Sequence, residues 1–242
     1  MIHSENELAL QDLRLHGMAR CYKEHVEGPN FREMSLSDFM GKLCIAERDE
    51  KKRKRVSNMM KRAKFRIEAQ PEDIIWKRER GLDKRRHSEL TKPDWIRRKE
   101  NLLLTGCSGT GKTWMACAIG HSLVRHTTSV LYHRTKLLLD DMRIARLDGS
   151  LSRLRKSLAR PELLILDDFG IAPIDQAAKE DLFELIESRS GEGSILIAGQ
   201  LSPKEWHSYL ASDHLADAIM DRLIQNSHSI QLKGDTLRPK LN

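Results

Sequence analysis

The sequence predicts an α/β fold: a parallel sheet with helices on both faces, preceded by an all-helical N-terminal domain. Three observations carry this. From about residue 100 onward, short apolar runs alternate with stretches of helical period, the pattern of buried strands and crossover helices. A glycine-rich turn joins the first of those runs to the first of those helices. Residues 1–70 show helical periodicity and end at Gln70-Pro71-Glu72, where proline pushes the preceding residue out of the helical region. The expected division is therefore a helical, basic domain at 1–70 and a core at 71–242.

Each element has a local reason. Ser4-Glu5-Asn6-Glu7 has capping-box spacing and opens a helix through Leu8, Leu10, Leu13 and Leu15. Gly17 is expected to end or bend it, with Met18–Val26 continuing as helix. Gly28-Pro29-Asn30 reads as a turn. Ser35 or Ser37 caps a long helix in which Leu36, Phe39, Met40, Leu43 and Ala46, then Val56, Met59, Met60 and Ala63, recur at helical spacing. Ile74-Ile75-Trp76 either lines a pocket of the core or packs on it as a linker. A charged helix is expected from Arg78 to Glu89. Core strands are expected at 102–105, 130–133, 163–166, 195–198 and 229–232. Helices are expected at 112–125, 135–147, 151–159, 175–188, 203–209 and 216–224.

The net charge of +7 is unevenly placed. Residues 1–100 hold 25 Lys and Arg against 18 Asp and Glu, whereas 101–242 hold 17 of each. Within 48–66, ten basic residues face only Asp49 and Glu50. That density suits a polyanionic partner, nucleic acid first, or else a well-solvated helix face. Lys51, Lys52, Arg53, Lys54, Arg55, Lys61 and Arg62 are the expected DNA contacts. No run of eighteen apolar residues exists, so no membrane helix is expected. The polar N-terminus lacks the apolar stretch of a signal peptide, and the four cysteines show no metal-site spacing. Both point to a cytoplasmic protein with reduced thiols.

The glycine-rich turn is Gly106-Cys107-Ser108-Gly109-Thr110-Gly111-Lys112-Thr113, which matches G-x-x-x-x-G-K-[ST] at every fixed position. Glycines let the backbone N–H groups turn inward around phosphates, and the following helix directs its N-terminus at them. Lys112 is expected to reach the β- and γ-phosphates of ATP, and the Thr113 hydroxyl to ligate Mg²⁺. Cys107 is either a reactive thiol or a tolerated variable position. The run Leu163–Leu166 then delivers Asp167 and Asp168 to the carboxyl edge of a buried strand. Two acids there suit a cation and a proton transfer. Asp167 is expected to hold Mg²⁺ through its water shell and Asp168 to polarise the attacking water. Gln200, after the next apolar run, could orient water at the same edge or serve as a polar turn. On spacing alone Arg222 and Arg238 read as surface arginines.

The chain resembles the IstB-like transposition helper ATPases, a branch of the AAA+ class related to the DnaC-type helicase loaders. The residues that carry the resemblance include Leu13-Arg14-Leu15-His16-Gly17-Met18, the basic stretch 48–66, Gly81-Leu82-Asp83-Lys84, and Glu100–Gly106. Leu164–Gly170, Gln200-Leu201, Leu215–Leu223 and Leu232-Lys233-Gly234-Asp235 complete it. The resemblance implies an AAA+ P-loop core, ATP-driven homo-oligomerisation on duplex DNA, DNA bending, and recruitment of a cognate transposase. It also implies that Gln200 is the sensor-1 residue, Arg222 an arginine finger acting on a neighbouring subunit, and Arg238 the sensor-2 arginine. Ala198-Gly199-Gln200 departs from the expected Thr-Ser-Gln, and Thr236-Leu237-Arg238 from Ser-x-Arg. Two other readings use the same loop. A helicase loader would bind single strands and a replicative helicase. A small-molecule kinase would leave the basic domain unused.

Overall fold

The computed structural model describes residues 2–28, 34–210 and 214–237. The chain divides into two compact units, Met1–Asn58 and Met59–Asn242. In the first, α1 (Ile2–Asp12) packs on α2 (His16–Val26), and α3 (Leu36–Ala63) begins. Because α1 starts at Ile2, Ser4 lies inside the helix and is not its cap. The break between α1 and α2 also comes earlier than Gly17. Arg14 adopts the left-handed conformation at φ 59°, and the Leu15 N–H donates back to the Leu10 carbonyl at 2.8 Å.

Gly17 serves packing instead. It sits in the first turn of α2, where a Cβ would collide with the Ala46 carbonyl of α3. The residue before α2 gives no side-chain cap. Glu47 of α3 takes that role: its Oε2 accepts from Gly17 N–H at 2.8 Å and Met18 N–H at 3.2 Å. Ser35, rather than Ser37, caps α3 by accepting from Asp38 N–H at 3.1 Å. Phe39 and Leu43 bury with Cys21, but Leu36 and Met40 are exposed. The inner face of α3 continues instead through Glu47 and Glu50, both buried, so carboxylates occupy positions that periodicity alone gives to apolar residues. The expected turn at Gly28-Pro29-Asn30 runs beyond the described residues.

In the second unit, Lys64 (φ 56°) ends the helical run and Phe65 turns inward against His121, ring centroids 4.3 Å apart. A 3-10 turn at Pro71–Asp73 follows. The expected helix Arg78–Glu89 is interrupted. A short 3-10 turn, Arg78–Arg80, ends at Gly81 in the left-handed region, and α4 (Lys84–Leu90) and α5 (Asp94–Arg97) come after. Gly81 passes so close to the Gln231 carbonyl that no side chain fits, and this contact stops the helix.

The core is a five-stranded sheet in the order β2-β3-β4-β1-β5, with every pairing parallel. Its strands are β1 (Asn101–Gly106), β2 (Val130–Arg134), β3 (Leu163–Phe169), β4 (Ser194–Gly199) and β5 (Ser227–Leu232). Between them run α6 (Lys112–Arg125), α7 (Thr135–Leu147), α8 (Leu151–Ala159), α9 (Gln176–Arg189), α10 (Pro203–Tyr209) and α11 (His214–Ile224). Leu103, Leu164, Leu166, Ile195 and Ile197 project to one face and bury against α7, α9 and α11. The opposite face packs on α6, where Gly120 lies against Ile165. Burial on both faces explains why these strands read as unbroken apolar runs. Arg189 is 1% exposed and unpaired with any acid among the described residues. It donates instead to the carbonyls of Leu158, Ala159, Pro161, Glu162 and Ser194, tying the chain around the start of β3 to the start of β4. Among the described residues, no helix is long and apolar enough to cross a membrane.

Candidate active site

The loop from Gly106 to Thr113 joins the end of β1 to the start of α6, so the first turn of the helix faces whatever the loop holds. Glycine is required at two of its corners. Gly106 takes φ 150° with the Leu232 carbonyl 2.5 Å from where a Cβ would stand. Gly109 takes φ 82° beneath Thr236. Thr110 is buried and its hydroxyl donates to the Cys107 carbonyl at 2.9 Å, closing the loop on itself. Lys112 Nζ donates to the carbonyls of Gly106 and Cys107, both at 2.8 Å. These bonds hold the ammonium in the mouth of the loop. Cys107 and Ser108 are exposed.

β3 is an interior strand, between β2 and β4, and brings both acids to the loop side. Asp167 is 1% exposed and accepts from the Tyr132 hydroxyl at 2.7 Å, while its backbone carbonyl accepts from Thr135 Oγ1 at 2.9 Å. Burial, reinforced by the hydrogen bond to Asp167, pushes the Tyr132 phenol far up, so it stays a donor. At Asp168 the strand leaves regular pairing: φ is 57°, and the β3–β4 register shifts between Leu166 and Phe169. Such an irregularity re-aims a side chain. The Asp168 carboxylate turns towards two arginines. Its Oδ2 accepts from Arg134 Nε at 2.9 Å and Arg66 Nη1 at 3.4 Å.

The loop and Asp168 border one cavity of about 600 Å³, whereas Asp167 lies buried outside its lining. Ser108, Gly109, Gly111, Lys112, Thr113, Asp168 and Gln200 line it together, so seven of the expected site residues meet there. Its apolar end includes Ile74 and Ile75. Of the two readings of that stretch, a pocket wall is the one observed, without Trp76. Arg80 borders the same space and donates to the Thr110 carbonyl at 2.9 Å, bracing the loop from outside. The C-terminal segment crosses the loop as well, with Leu237 N–H donating to the Gly109 carbonyl at 2.9 Å. Arg238 lies outside the described residues.

Arg222 is elsewhere. It pairs with Glu187, donates to the Ala218 carbonyl at 3.0 Å, and lies 5.1 Å over the Phe183 ring. Its own carbonyl accepts from Asn101 Nδ2 at 3.1 Å, which places it at the opposite end of β1 from the loop. β1 is six residues long. At about 3.3 Å per residue that separates the two by roughly 17 Å, beyond the reach of an arginine side chain.

The basic helix is heterogeneous. Lys51–Arg55 are all exposed, but Glu47 pairs with Lys51, and Glu50 with Arg20, Arg53 and Lys54. The hydrogen bond from Arg53 holds the Glu50 carboxyl below its usual range. Lys52, Arg55, Lys61 and Arg62 are exposed without an acidic partner among the described residues.

Sequence reasoning missed Arg66, Arg80, Tyr132 and Arg134. Arg134 had a usable signal, because it ends a strand at the carboxyl edge where such sheets bind ligands, and Tyr132 stands two residues before it in the same strand. Arg66 was hidden in a run of ten basic residues, and nothing local marks Arg80.

The sequence matches the family described as IstB-like ATP binding protein over residues 8–242. It is 38% identical over 229 residues to the insertion sequence ATP-binding protein y4pL of Sinorhizobium fredii, covering 95% of this chain and 94% of that one. It is 42% identical over 193 residues to the insertion sequence IS1162 ATP-binding protein of Pseudomonas fluorescens, covering 79% and 84%. Among solved structures it is similar to AMPPCP-bound DnaA from Aquifex aeolicus, with TM-score 0.58, 17% identity, and coverage of 71% of this chain and 52% of that one. It is also similar to the DnaC helicase loader, with TM-score 0.55, 18% identity, and coverage of 68% and 97%. At such identities the structural likeness speaks for the fold, and it is the AAA+ P-loop fold expected from the sequence.

Proposed function

Because this chain belongs to the family of IstB-like ATP-binding proteins, we propose that it is an ATP-dependent transposition helper. In this reading it oligomerises on duplex DNA in the cytoplasm, remodels that DNA, and recruits and stimulates a cognate transposase. It is an ATPase of AAA+ fold. The observation that carries the assembly reading is the placement of Arg222, at the end of β1 that its own phosphate loop does not occupy. An arginine so placed can serve γ-phosphate chemistry only in a neighbour's site.

Within each site, Gly106, Cys107, Ser108, Gly109, Thr110 and Gly111 wrap the phosphates, and Lys112 exchanges its two loop carbonyls for the β- and γ-phosphates. Thr113 and Asp167 would hold Mg²⁺. A hydroxyl and a buried carboxylate beside the loop are hard oxygen donors that fit this ion, which neutralises charge on the phosphates when bound. Asp168 and Gln200 orient and polarise the attacking water. Arg238 keeps its expected nucleotide-facing role as part of this proposal.

Residues 1–70 form the DNA and partner module, and 71–242 the ATPase core with a minimal lid. The unpaired cations Lys52, Arg55, Lys61 and Arg62 make the main phosphate contacts. Lys51, Arg53 and Lys54 contribute less, because Glu47 and Glu50 already offset them. Electron microscopy of the protein with ATP and duplex DNA, beside a gel-shift series on single and double strands, tests the reading. ATP-dependent assemblies on duplex are expected. Much tighter binding to single strands would favour a helicase loader instead.

A further inference from the structure

Arg66 is the last residue of the basic segment, yet the chain is built to take it away from that surface. Lys64 ends the helical run with φ 56°. Phe65 then inserts over α6 where Gly120 leaves room: a Cβ at residue 120 would stand 2.5 Å from the Phe65 ring. The ring also meets His121 edge-on at 4.3 Å. On the other side, the buried Cys117, one turn earlier on α6, sets its thiol against the backbone of Arg66 and Ile67. Two contacts on successive turns of α6 thus clamp residues 65–67. Between them the Arg66 side chain enters the same cavity as Lys112, Thr113, Asp168 and Gln200. Its guanidinium reaches Asp168 Oδ2 at 3.4 Å, a longer contact than the 2.9 Å of Arg134, and its side chain keeps 47% of its exposure.

We propose that Arg66 is a γ-phosphate-reading residue supplied in cis from the segment ahead of the core. When ATP occupies the site, the guanidinium leaves Asp168 for the γ-phosphate oxygens. That exchange is chemically favoured, because a phosphate carries more charge than a carboxylate and accepts the same forked donors. Both arginines hold the same oxygen, Oδ2, so the exchange leaves Arg134 to keep the carboxylate in place while one fewer cation offsets its charge towards water. ADP offers no γ-phosphate, so with ADP the Arg66–Asp168 pair persists. The proposal rests on the assignment of Lys112 and Asp168 to phosphate and water. It adds that the chain's own Arg66, at the other end of β1 from Arg222, discriminates ATP from ADP.

The test compares ATP and ADP affinity, by displacement of a fluorescent nucleotide, and steady-state turnover in the full-length chain. In Arg66→Gln, ADP affinity stays at the wild-type level, while ATP affinity falls about tenfold, as expected when one charge-assisted hydrogen bond is removed, and kcat drops. Arg66→Lys restores part of the ATP preference. Asp168→Asn, which releases Arg66 from its partner, raises the preference for ATP over ADP even as turnover fails. An unchanged ATP-to-ADP ratio in Arg66→Gln overturns the proposal, as does equal weakening of both nucleotides. Lys112→Ala separates the two levels: if it keeps both affinities, the loop assignment has failed, whatever Arg66 does.

Discussion

Lys112 and Asp168 are held by different kinds of partner, and their variants should fail differently. Lys112 donates to two of its loop's carbonyls, which cost little to exchange for phosphate. Lys112→Ala should therefore abolish ATP binding in calorimetric titration, and retained affinity would contradict the loop assignment. The Asp168 carboxylate accepts from two arginines that lie outside the loop, Arg134 and Arg66. Asp168→Asn should spare nucleotide binding and slow turnover by about a hundredfold or more, the usual cost of losing a positioned base. Unchanged steady-state hydrolysis would remove it from the chemistry. At this scale the sequence was legible where chemistry is local. The loop's eight residues and the Asp167-Asp168 pair are contiguous in the chain. Arg66 and Arg134 were not legible as Asp168 partners, because 102 and 34 residues separate them from it.

At the scale of elements, ion pairs decide which charges remain available. On α3, Glu47 and Glu50 face inward and draw to themselves three of the helix's own basic side chains and Arg20 of α2. Replacing Lys52, Arg55, Lys61 and Arg62 with alanine should weaken duplex binding and flatten its salt dependence, by about 0.9 log units of slope for each DNA phosphate no longer neutralised. Replacing Lys51, Arg53 and Lys54 should flatten it less. Equal slopes for the two sets would show that the pairs do not matter for binding. A second pair joins β1 to β5. Glu100 accepts from Arg98 at 2.7 and 2.9 Å and from His228 Nε2 at 2.7 Å. The Arg98 hydrogen bonds, with help from His228, lower the Glu100 carboxyl from 4.5 to about 2. A lowered pKa stabilises the fold fully above pH 4.5, and that stabilisation is lost as pH falls towards 2. Thermal unfolding of Glu100→Gln should therefore start lower at neutral pH and decline less on acidification over that window. Parallel declines would show that the pair adds nothing.

For the whole molecule, the proposed function makes activity a property of subunit junctions, because Arg222 lies far from its own loop. Arg222→Ala and Lys112→Ala should each be inactive alone on DNA with ATP. Mixed together they should recover turnover, because a junction formed between the two variants keeps one intact Lys112 and one intact Arg222. No recovery in the mixture, or full activity of Arg222→Ala alone, would place the arginine outside catalysis. The same proposal couples nucleotide to assembly, since a γ-phosphate that engages a neighbour's arginine would stabilise the pair only in the ATP state.

By itself the sequence determined the class of fold, the order of the core elements, the phosphate loop and the strand that delivers two acids. These are written in period, glycine placement and short spacing, which act over a few residues. Only the tertiary structure decided what Gly17 and Gly81 are for, since each answers to a backbone distant in sequence. It also decided that Glu47 and Glu50 lie inside, that two arginines hold Asp168, and that Arg222 faces away from its own loop. Those depend on which strands lie side by side. The parallel order β2-β3-β4-β1-β5 brings the ends of β2, β3 and β4 to one edge and leaves Arg222 at the other.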